Sequence, residues 1–574
     1  MIDIKRAVLY GLLMLVIYTL WMDWQKDYPP VKQNPVASLN TAIPNKETPS
    51  NSQEITPLLS SSEETVHENS PVDSSINTKD SLFFVKTDVF KLGFDKNTGD
   101  LVSATLTDYK KSIQNKEPFV MLNNDSPLQY ITSMRLFSLD KETLGNIHFM
   151  PKTFHVEKNK KGWVVSVGGS SPEGLSIKKE FMLEKNSYLI GVRYFVTNNN
   201  HQPWEGEWTT QLSQKNPVED KSSLFHLGSY SGGAISMPGD KLYKKISYED
   251  MAESSLDQKV KDGWVAMQQH YFLTAWIPSV GTTNKFYTQV SNDTYTIGVL
   301  SEPVKLNSGE TYEFSSRLYV GPELMDALKK IAPGLELTID YGWLSAISVV
   351  LFFILEHIYN FLGNWGWSII LVTVLIKLAF YKLSAKSYSS MANMRKLQPK
   401  LEELKQRFSD DKTKISQATM ELYRKEKVNP LGGCLPIVVQ IPVFIALYWV
   451  LLESIQLRQA PFIFWIHDLS VSDPYYILPI IMGFTMLVQQ KLNPPPPDPM
   501  QAKVMMFLPV LFTGLFLHFP AGLVLYWVVN NTLSIVQQWY ITQKINNQII
   551  KKRFSHGKLI GQSKKSDKHD KANT

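Results

Sequence analysis

The feature that most constrains the fold of this chain is the segregation of its apolar residues. They concentrate in residues 7–22 and 343–541, and a long polar body separates the two regions. A transmembrane helix needs about 20 apolar residues to cross a hydrocarbon core of ~30 Å. The second region therefore predicts an α-helical polytopic membrane bundle. Its apolar runs are Trp343–Leu362, Trp365–Tyr381, Leu435–Leu452, Tyr475–Val488, Val504–Phe519 and Ala521–Ile541.

The charges around these runs are polarised. Residues 23–341 carry 32 Lys and Arg against 39 Asp and Glu. Residues 382–427 carry 12 against 6, and residues 543–574 carry 9 against 2. Because cytoplasmic segments are enriched in Lys and Arg, the two basic segments are expected inside and the acidic body outside. If all six C-terminal runs and the N-terminal run crossed, residues 382–427 would lie outside.

One run must therefore not cross, and Trp343–Leu362 is the candidate. It carries Glu356 and His357, and Gly363 and Asn364 separate it from the next run. We interpret residues 336–363 as an amphipathic helix that lies at the outer interface. With the N-terminal run this gives six spans, of which the last five are residues 364–385, 429–455, 475–490, 504–519 and 521–542.

The N-terminal run, in residues 1–22, follows Lys5 and Arg6 and lacks a small-residue cleavage site. It is interpreted as an uncleaved signal-anchor, with a cleaved signal peptide as the alternative. Residues 23–80 are rich in Pro, Ser, Asn, Thr and Glu, a composition that predicts a disordered linker.

Residues 81–335 have the sequence pattern of a large all-β domain. Short runs of β-branched and aromatic residues, such as Leu175–Leu183, alternate between apolar and polar positions and are separated by Asn and Gly turns. Such runs over about 250 residues favour a β-sandwich.

The β domain shows no catalytic pattern. Its histidines are scattered without the spacing of metal ligands, and the single cysteine of the chain, Cys434, excludes an intramolecular disulfide. The sequence therefore predicts neither an enzyme nor a metal or cofactor site. Four tryptophans could either line a sugar-binding cleft or pack in the core: Trp204, Trp208, Trp264 and Trp276.

A lysine in the second apolar run is the most informative single residue. A central lysine costs ~2.5–3.5 kcal/mol on insertion scales, so Lys377 should face water or a partner. Thr373 and Ser384 fall on its helical stripe, whereas Glu356 and Glu453 are placed near the outer ends of their runs. Either Lys377 faces a hydrated cavity open to the cytoplasm, or it snorkels to the membrane surface. Other polar side chains at membrane depth are Gln440, Thr485, Thr513, Asn530 and Asn531.

The two basic segments have different patterns. Residues 386–428 suggest a cytoplasmic helical hairpin, with Ser409-Asp410-Asp411 between its helices. Residues 543–574 form a basic cytoplasmic tail without a packing pattern. Both segments could contact ribosomal RNA or anionic lipid, although the tail could also serve only to set the topology.

The C-terminal region carries several distinctive motifs. They are MRKLQPK (394–400), LYRKEKVNPLGGCLP (422–436), QIPVF (440–444) and FPAGLVLYW (519–527), followed by Asn530 and Asn531. Over residues 340–545 these motifs resemble the YidC/Oxa/Alb insertase family. The most specific is the long run that ends in Gly-Gly-Cys-x-Pro, and the anchor with its large β domain is similar to the Gram-negative arrangement.

The resemblance implies a hydrophilic groove that is open to the cytoplasm and to lipid, with a positive charge in the second span. That charge would be Lys377, where the enterobacterial pattern has Arg, so the planar guanidinium fork is absent. The groove would also involve Thr373, Gln440, Asn530 and Tyr526, and the substrate would slide past Val439, Phe444 and Phe507 along spans three and five. A β-supersandwich like that of sugar mutarotases, without their activity, is implied for the outer domain.

The family further implies a multi-pass protein of the Gram-negative inner membrane, with both termini cytoplasmic and the large domain periplasmic. It would insert nascent membrane proteins into the bilayer without a cofactor or a small-molecule substrate. Implied partners are the Sec translocon with its accessory subunits, and the ribosome. Three alternatives stay open: a transporter or channel past Lys377, a membrane-anchored sugar-modifying enzyme, and a structural scaffold.

Overall fold

The computed structural model describes residues 81–570, apart from several short gaps. The described residues belong to one compact unit, residues 76–574. The predicted signal-anchor and linker, residues 1–80, lie outside the described residues. The gaps are residues 126–128, 141–143, 216, 218–229, 409–410, 427, 429–434 and 494–498.

The described part of residues 81–335 is a β domain built from antiparallel sheets, as the alternating pattern predicted. The strands are β1 Leu82–Lys86, β2 Phe90–Asp95, β3 Leu101–Lys110, β4 Pro118–Leu122, β5 Tyr130–Ser138, β6 Gly145–Asn146, β7 Met150–Lys158, β8 Gly162–Ser170, β9 Leu175–Glu184, β10 Leu189–Asn198, β11 Trp204–Lys215, β12 Ser231–Met237, β13 Lys241–Ile246, β14 Asp257–Lys261, β15 Trp264–Gln269, β16 Phe272–Pro278, β17 Thr283–Ser291, β18 Thr294–Leu300, β19 Val304–Leu306 and β20 Thr311–Pro322. One sheet has the order β1-β2-β3-β4, a second has β13-β12-β15-β16-β20-β10-β9-β8-β7, and a third has β14-β17-β18-β11-β5-β6, with β19 beside β11.

The sheets share one hydrophobic core. Every second side chain of β10 is buried, as expected for a strand with one face on the core. Phe94, Phe181 and Phe286 come from the three different sheets, and all are fully buried in the same cluster. The four tryptophans for which a cleft or core packing was open are also buried, with at most 6% of their surface exposed. They pack in the core, and Trp208 also borders a surface cavity that Thr210 and Phe314 line with it.

The helices are mostly in the C-terminal part. Among the described residues, Gly342–Leu362 is long and apolar enough to span a bilayer alone. The helices Trp365–Ala379 and Tyr381–Lys396 meet that criterion only together, with a bend of 69° between them. The helices are α1 Tyr248–Glu253, α2 Met325–Ile331, α3 Ser345–Leu362, α4 Trp365–Ala379, α5 Tyr381–Lys396, α6 Gln398–Arg407, α7 Lys412–Lys425, α8 Leu435–Glu453, α9 Ile477–Leu492, α10 Pro499–Phe516 and α11 Ala521–Asp570.

Length and composition do not decide whether α3 crosses the bilayer. Its buried face, which includes Leu351 and Leu355, packs in the bundle, whereas Val350, Phe353 and Phe361 are more than half exposed. An apolar exposed face fits either lipid or the membrane interface. The interfacial assignment of residues 336–363 therefore stays a prediction.

Two segments differ in detail from the predicted pattern. The first half of the predicted hairpin is divided at Leu397, because α5 ends at Lys396 and Pro399 lies in the first turn of α6. The Nζ of Lys400 pairs with a carboxylate oxygen of Glu426 at 2.6 Å, which joins α6 to the end of α7. The helix that contains the last predicted span, α11, continues beyond residue 542 to Asp570, so residues 543–570 of the predicted tail are helical.

The β domain is joined to the bundle by packing and by hydrogen bonds. Ile455, just after α8, is buried in the core of the β domain. Arg458 donates through Nη2 to the carbonyl oxygens of Lys110 and Lys111, at 2.8 Å each, and its guanidinium lies over the ring of Phe119. The loop after α8 is therefore anchored to the end of β3.

A buried carboxyl near this junction predicts a pH-dependent stability. Gln268 donates to Glu323 at 2.9 Å, but burial outweighs this bond and raises the pKa of Glu323 to about 8. A carboxyl whose pKa is higher in the folded than in the unfolded state stabilises the fold at low pH, and this contribution is lost as the pH rises through the folded value. The free energy of unfolding should therefore fall between about pH 5 and pH 8.

This expectation is checked by thermal unfolding of the full chain in detergent over that pH range. Glu323→Gln mimics the protonated carboxyl, so its unfolding temperature should depend less on pH than that of the wild type. Parallel pH curves for the two proteins would contradict the assignment.

Candidate functional site: a polar cluster within the helical bundle

The position of Lys377 is set by the two ends of α4. Asn364 caps the first turn by accepting from the backbone N–H of Trp367. Its amide also donates to the carbonyl oxygens of Pro461 and Phe462 at 3.3 Å each, which ties this end to the loop after α8. At the other end, Lys377 lies in the last turn of α4, just before the chain bends by 69° into α5.

Lys377 is buried, with 7% of its surface exposed. Its Nζ donates to the hydroxyl of Ser534 on α11 at 2.7 Å. Within the described part of the chain, the ion pairs do not include Lys377. A buried ammonium normally requires compensation, and here a neutral hydroxyl provides it.

The partner of Lys377 belongs to a polar stripe on α11. Tyr526, Asn530, Ser534 and Gln538 recur every four residues, which places them on one helical face. Asn530 accepts from the Gln440 amide of α8 at 3.4 Å, and the Ser534 hydroxyl donates to the Asn530 carbonyl at 2.7 Å. Three of the predicted groove residues, on three helices, are thus connected through α11.

The remaining two predicted groove residues, Thr373 and Tyr526, are buried, whereas Gln440 and Asn530 are partly exposed. Thr373, one turn before Lys377, is 1% exposed and donates its proton to the carbonyl of Ile369 at 2.6 Å, so only its lone pairs are left for another donor. Tyr526 is 2% exposed and stacks on Phe444 at 6.2 Å between ring centroids. Ser384 follows the bend after α4, so it does not continue the straight stripe expected for it.

The predicted slide residues occupy different environments. Phe507 on α10 is 61% exposed, whereas Val439 and Phe444 on α8 are half-buried. The rings of Phe444 and Trp527 lie 4.7 Å apart, and Trp527 also lies 5.1 Å from Phe516 of α10. An aromatic contact through Trp527 therefore connects α8 with α10.

Three residues of the cluster were missed in the sequence analysis: Ser534, Trp527 and Tyr388. Ser534 is four residues after Asn530, so helical spacing alone could have found it. Trp527 is part of the recognised FPAGLVLYW motif. Its indole Nε1 is buried without a hydrogen-bond partner among the described residues. Tyr388 gives no sequence signal, because it reaches Ser534 only through the bend between α4 and α5.

The site has the chemistry of a binding site. Among the described residues, no group of three or more His, Cys, Asp or Glu side chains is arranged to hold a metal ion. The cluster offers one cation together with hydroxyl and amide groups, beside apolar and aromatic helix faces. Such a site can attract acidic and polar groups next to an apolar segment.

Comparisons with known proteins agree with the motifs. Residues 83–354 match the YidC periplasmic domain family, and residues 357–548 match the 60Kd inner membrane protein family. The boundary between the two matches falls within α3.

Two full-length relatives are similar to nearly the whole chain. The membrane protein insertase YidC of Legionella pneumophila (strain Corby) is 52% identical over 557 residues, which cover 95% of this chain and 98% of that protein. The membrane protein insertase YidC of Coxiella burnetii (strain Dugway 5J108-111) is 43% identical over 550 residues, with 94% and 96% covered. A crystal structure of an active YidC insertase with its first transmembrane domain resolved is 19% identical, covers 80% of this chain and 92% of that chain, and has a TM-score of 0.37. From the family models and the relatives, the chain belongs to the YidC family of membrane protein insertases.

Proposed function

We propose that this chain inserts hydrophobic segments of nascent membrane proteins into the bilayer through a groove lined by the polar cluster. The groove comprises Lys377, Thr373, Gln440, Asn530 and Tyr526. The apolar segment of the substrate passes along α8 and α10, past Val439, Phe444 and Phe507, while its polar flank crosses through the groove.

The observation that carries this proposal is the buried Lys377 ammonium with a hydroxyl as its partner. A carboxylate partner would cancel the charge, whereas a hydroxyl leaves most of its field available to an approaching acidic group. At ~8 Å and an effective dielectric constant of ~20, two unit charges attract by ~2 kcal/mol. No nucleotide is required, because the transfer of an apolar segment into lipid is itself favourable.

The membrane topology of the chain is part of the same proposal. The positive-inside rule assigns the basic hairpin and tail to the cytoplasm, the β domain to the periplasm and α3 to the outer interface. The basic helices α5 to α7 are suited to contact ribosomal RNA, and the Sec translocon is the proposed partner for larger substrates. The groove would then open toward the cytoplasm.

The hydration of the groove can be tested by cysteine labelling. Cys434→Ser removes the single cysteine of the chain, and single cysteines are then placed at Gln440, at Asn530 or, as a control, at Val510 on α10. In inverted membrane vesicles, a membrane-impermeant maleimide should label the first two positions. Val510, which is apolar and 58% exposed on the bundle surface, should face lipid and stay unlabelled.

Labelling of Gln440→Cys and Asn530→Cys at the low rate of Val510→Cys would exclude a hydrated groove. Labelling of the two groove positions only from the outer side would place its opening on the wrong side of the membrane.

A further inference from the structure

The hydroxyl of Ser534 makes two hydrogen bonds within the cluster. It donates its one proton to the carbonyl of Asn530 and accepts from Lys377, each at 2.7 Å. A serine hydroxyl has one proton and two lone pairs, so one lone pair is still open. The hydroxyl of Tyr388 is a nearby polar group that can use it.

Tyr388 connects this serine to a different part of the protein. It lies on α5, beyond the 69° bend, and is 7% exposed. A second bond from the same region runs from the Gln537 amide of α11 to the carbonyl of Tyr381, at 3.3 Å. The start of α5 is therefore fastened to α11 beside the ammonium of Lys377. Movement of the start of α5 away from α11 must break the bond between Gln537 and Tyr381.

We infer that Ser534 and Tyr388 are positioning residues that hold the Lys377 ammonium at a fixed place in the groove and connect this place to α5. The inference rests on the proposed function. Ser534 fixes the ammonium through a direct bond, and Tyr388 supports the Ser534 hydroxyl from α5.

The test uses the full chain in proteoliposomes and two single-span substrates that differ only in their translocated flank, one acidic and one with Asn and Gln in place of the acidic residues. Ser534→Ala and Tyr388→Phe should each slow insertion of the acidic substrate by about three- to tenfold. Insertion of the neutral substrate should change by less than about twofold. Ser534→Thr, which keeps the hydroxyl, should retain most of the activity.

Two matched control variants separate positioning from simple structural effects. Thr532 is exposed on α11 and makes the same kind of bond, to the carbonyl of Val528 at 2.8 Å. Thr532→Ala should therefore leave both substrates unaffected, as should Tyr381→Phe at the exposed start of α5. Equal slowing of both substrates by Ser534→Ala would show a structural role and overturn the inference.

A double variant distinguishes failure of the inference from failure of the proposed function. If Ser534 acts through Lys377, then Ser534→Ala should add little to the loss caused by Lys377→Ala, because coupled residues are not additive. If Lys377→Ala itself does not discriminate between the two substrates, the proposed function fails. If Lys377→Ala discriminates and the Ser534 and Tyr388 variants do not, only the inference fails.

Discussion

Replacing Lys377 by glutamate should reduce the insertion of a single-span substrate with an acidic flank by about a hundredfold, and replacement by alanine should reduce it by about tenfold. Alanine removes the attraction, whereas glutamate turns it into repulsion in a region of low dielectric constant. Lys377→Arg keeps the charge and should retain most of the activity. The measurement is the rate of substrate insertion after depletion of the wild-type protein, with the variant as the sole copy.

Lys382→Glu provides the matched control. This residue lies five positions further along the chain, after the bend, and is exposed. The same change of charge in water should alter insertion by less than about threefold, because exposed charges are screened. Unchanged insertion with both Lys377→Ala and Lys377→Glu would contradict the role given to Lys377.

Replacing Lys179 by methionine should destabilise the β domain by about 3–5 kcal/mol. Lys179 is 1% exposed, and its Nζ lies 2.6 Å from an oxygen of Asp100 and 2.8 Å from the carbonyl of Thr98. Burial raises the pKa of Asp100, and Lys179 opposes that shift. Without the lysine, the carboxyl must be buried alone or take up a proton. The measurement is denaturant or thermal unfolding of the full chain in detergent.

The adjacent lysine gives a direct comparison. Lys178 is about half exposed and pairs with Glu180 at 2.6 Å. Glu180 is largely buried but also pairs with Arg193 at 2.7 Å, so it keeps a charged partner when Lys178 is lost, and an exposed lysine contributes only about 0–1 kcal/mol. Lys178→Met should therefore shift the unfolding transition only slightly. Equal shifts of the unfolding transition for Lys178→Met and Lys179→Met would contradict the prediction, because the buried Lys179–Asp100 pair would then stabilise the domain no more than the half-exposed Lys178 does.

Much of the architecture could be predicted because apolar patterning is a local property. The alternation in β9 and β10 follows directly from a strand with one buried face. The chain's membership of the insertase family is confirmed by the motifs and by the relatives, which also removes the sugar-modifying enzyme as an alternative. The membership of Lys377, Gln440 and Asn530 in one cluster was predicted from the resemblance, and their geometry is compatible with it. The role of that cluster stays a prediction.

The features that escaped prediction depend on contacts between distant segments. The bend after α4 could not be predicted from a proline or glycine, because the residues at the bend are Phe380 and Tyr381. That bend brings Tyr388 to Ser534 and removes Ser384 from the straight stripe. The bonds of Arg458 to the end of β3 likewise join residues almost 350 positions apart, at a separation of 348 for Lys110. No periodicity within one segment carries this information.

The central claim is that nascent hydrophobic segments pass between the polar cluster and the faces of α8 and α10. The most direct measurement is photocrosslinking from p-benzoyl-phenylalanine placed at Gln440, Phe444 or Phe507 during synthesis of several unrelated membrane proteins, with Phe353 on the exposed face of α3 as the control position. The account predicts transient crosslinks from the first three positions to each nascent chain, lost once synthesis is complete, and few from Phe353. Crosslinks to a single stable partner, or equal yields from Phe353 and the groove positions, would contradict it.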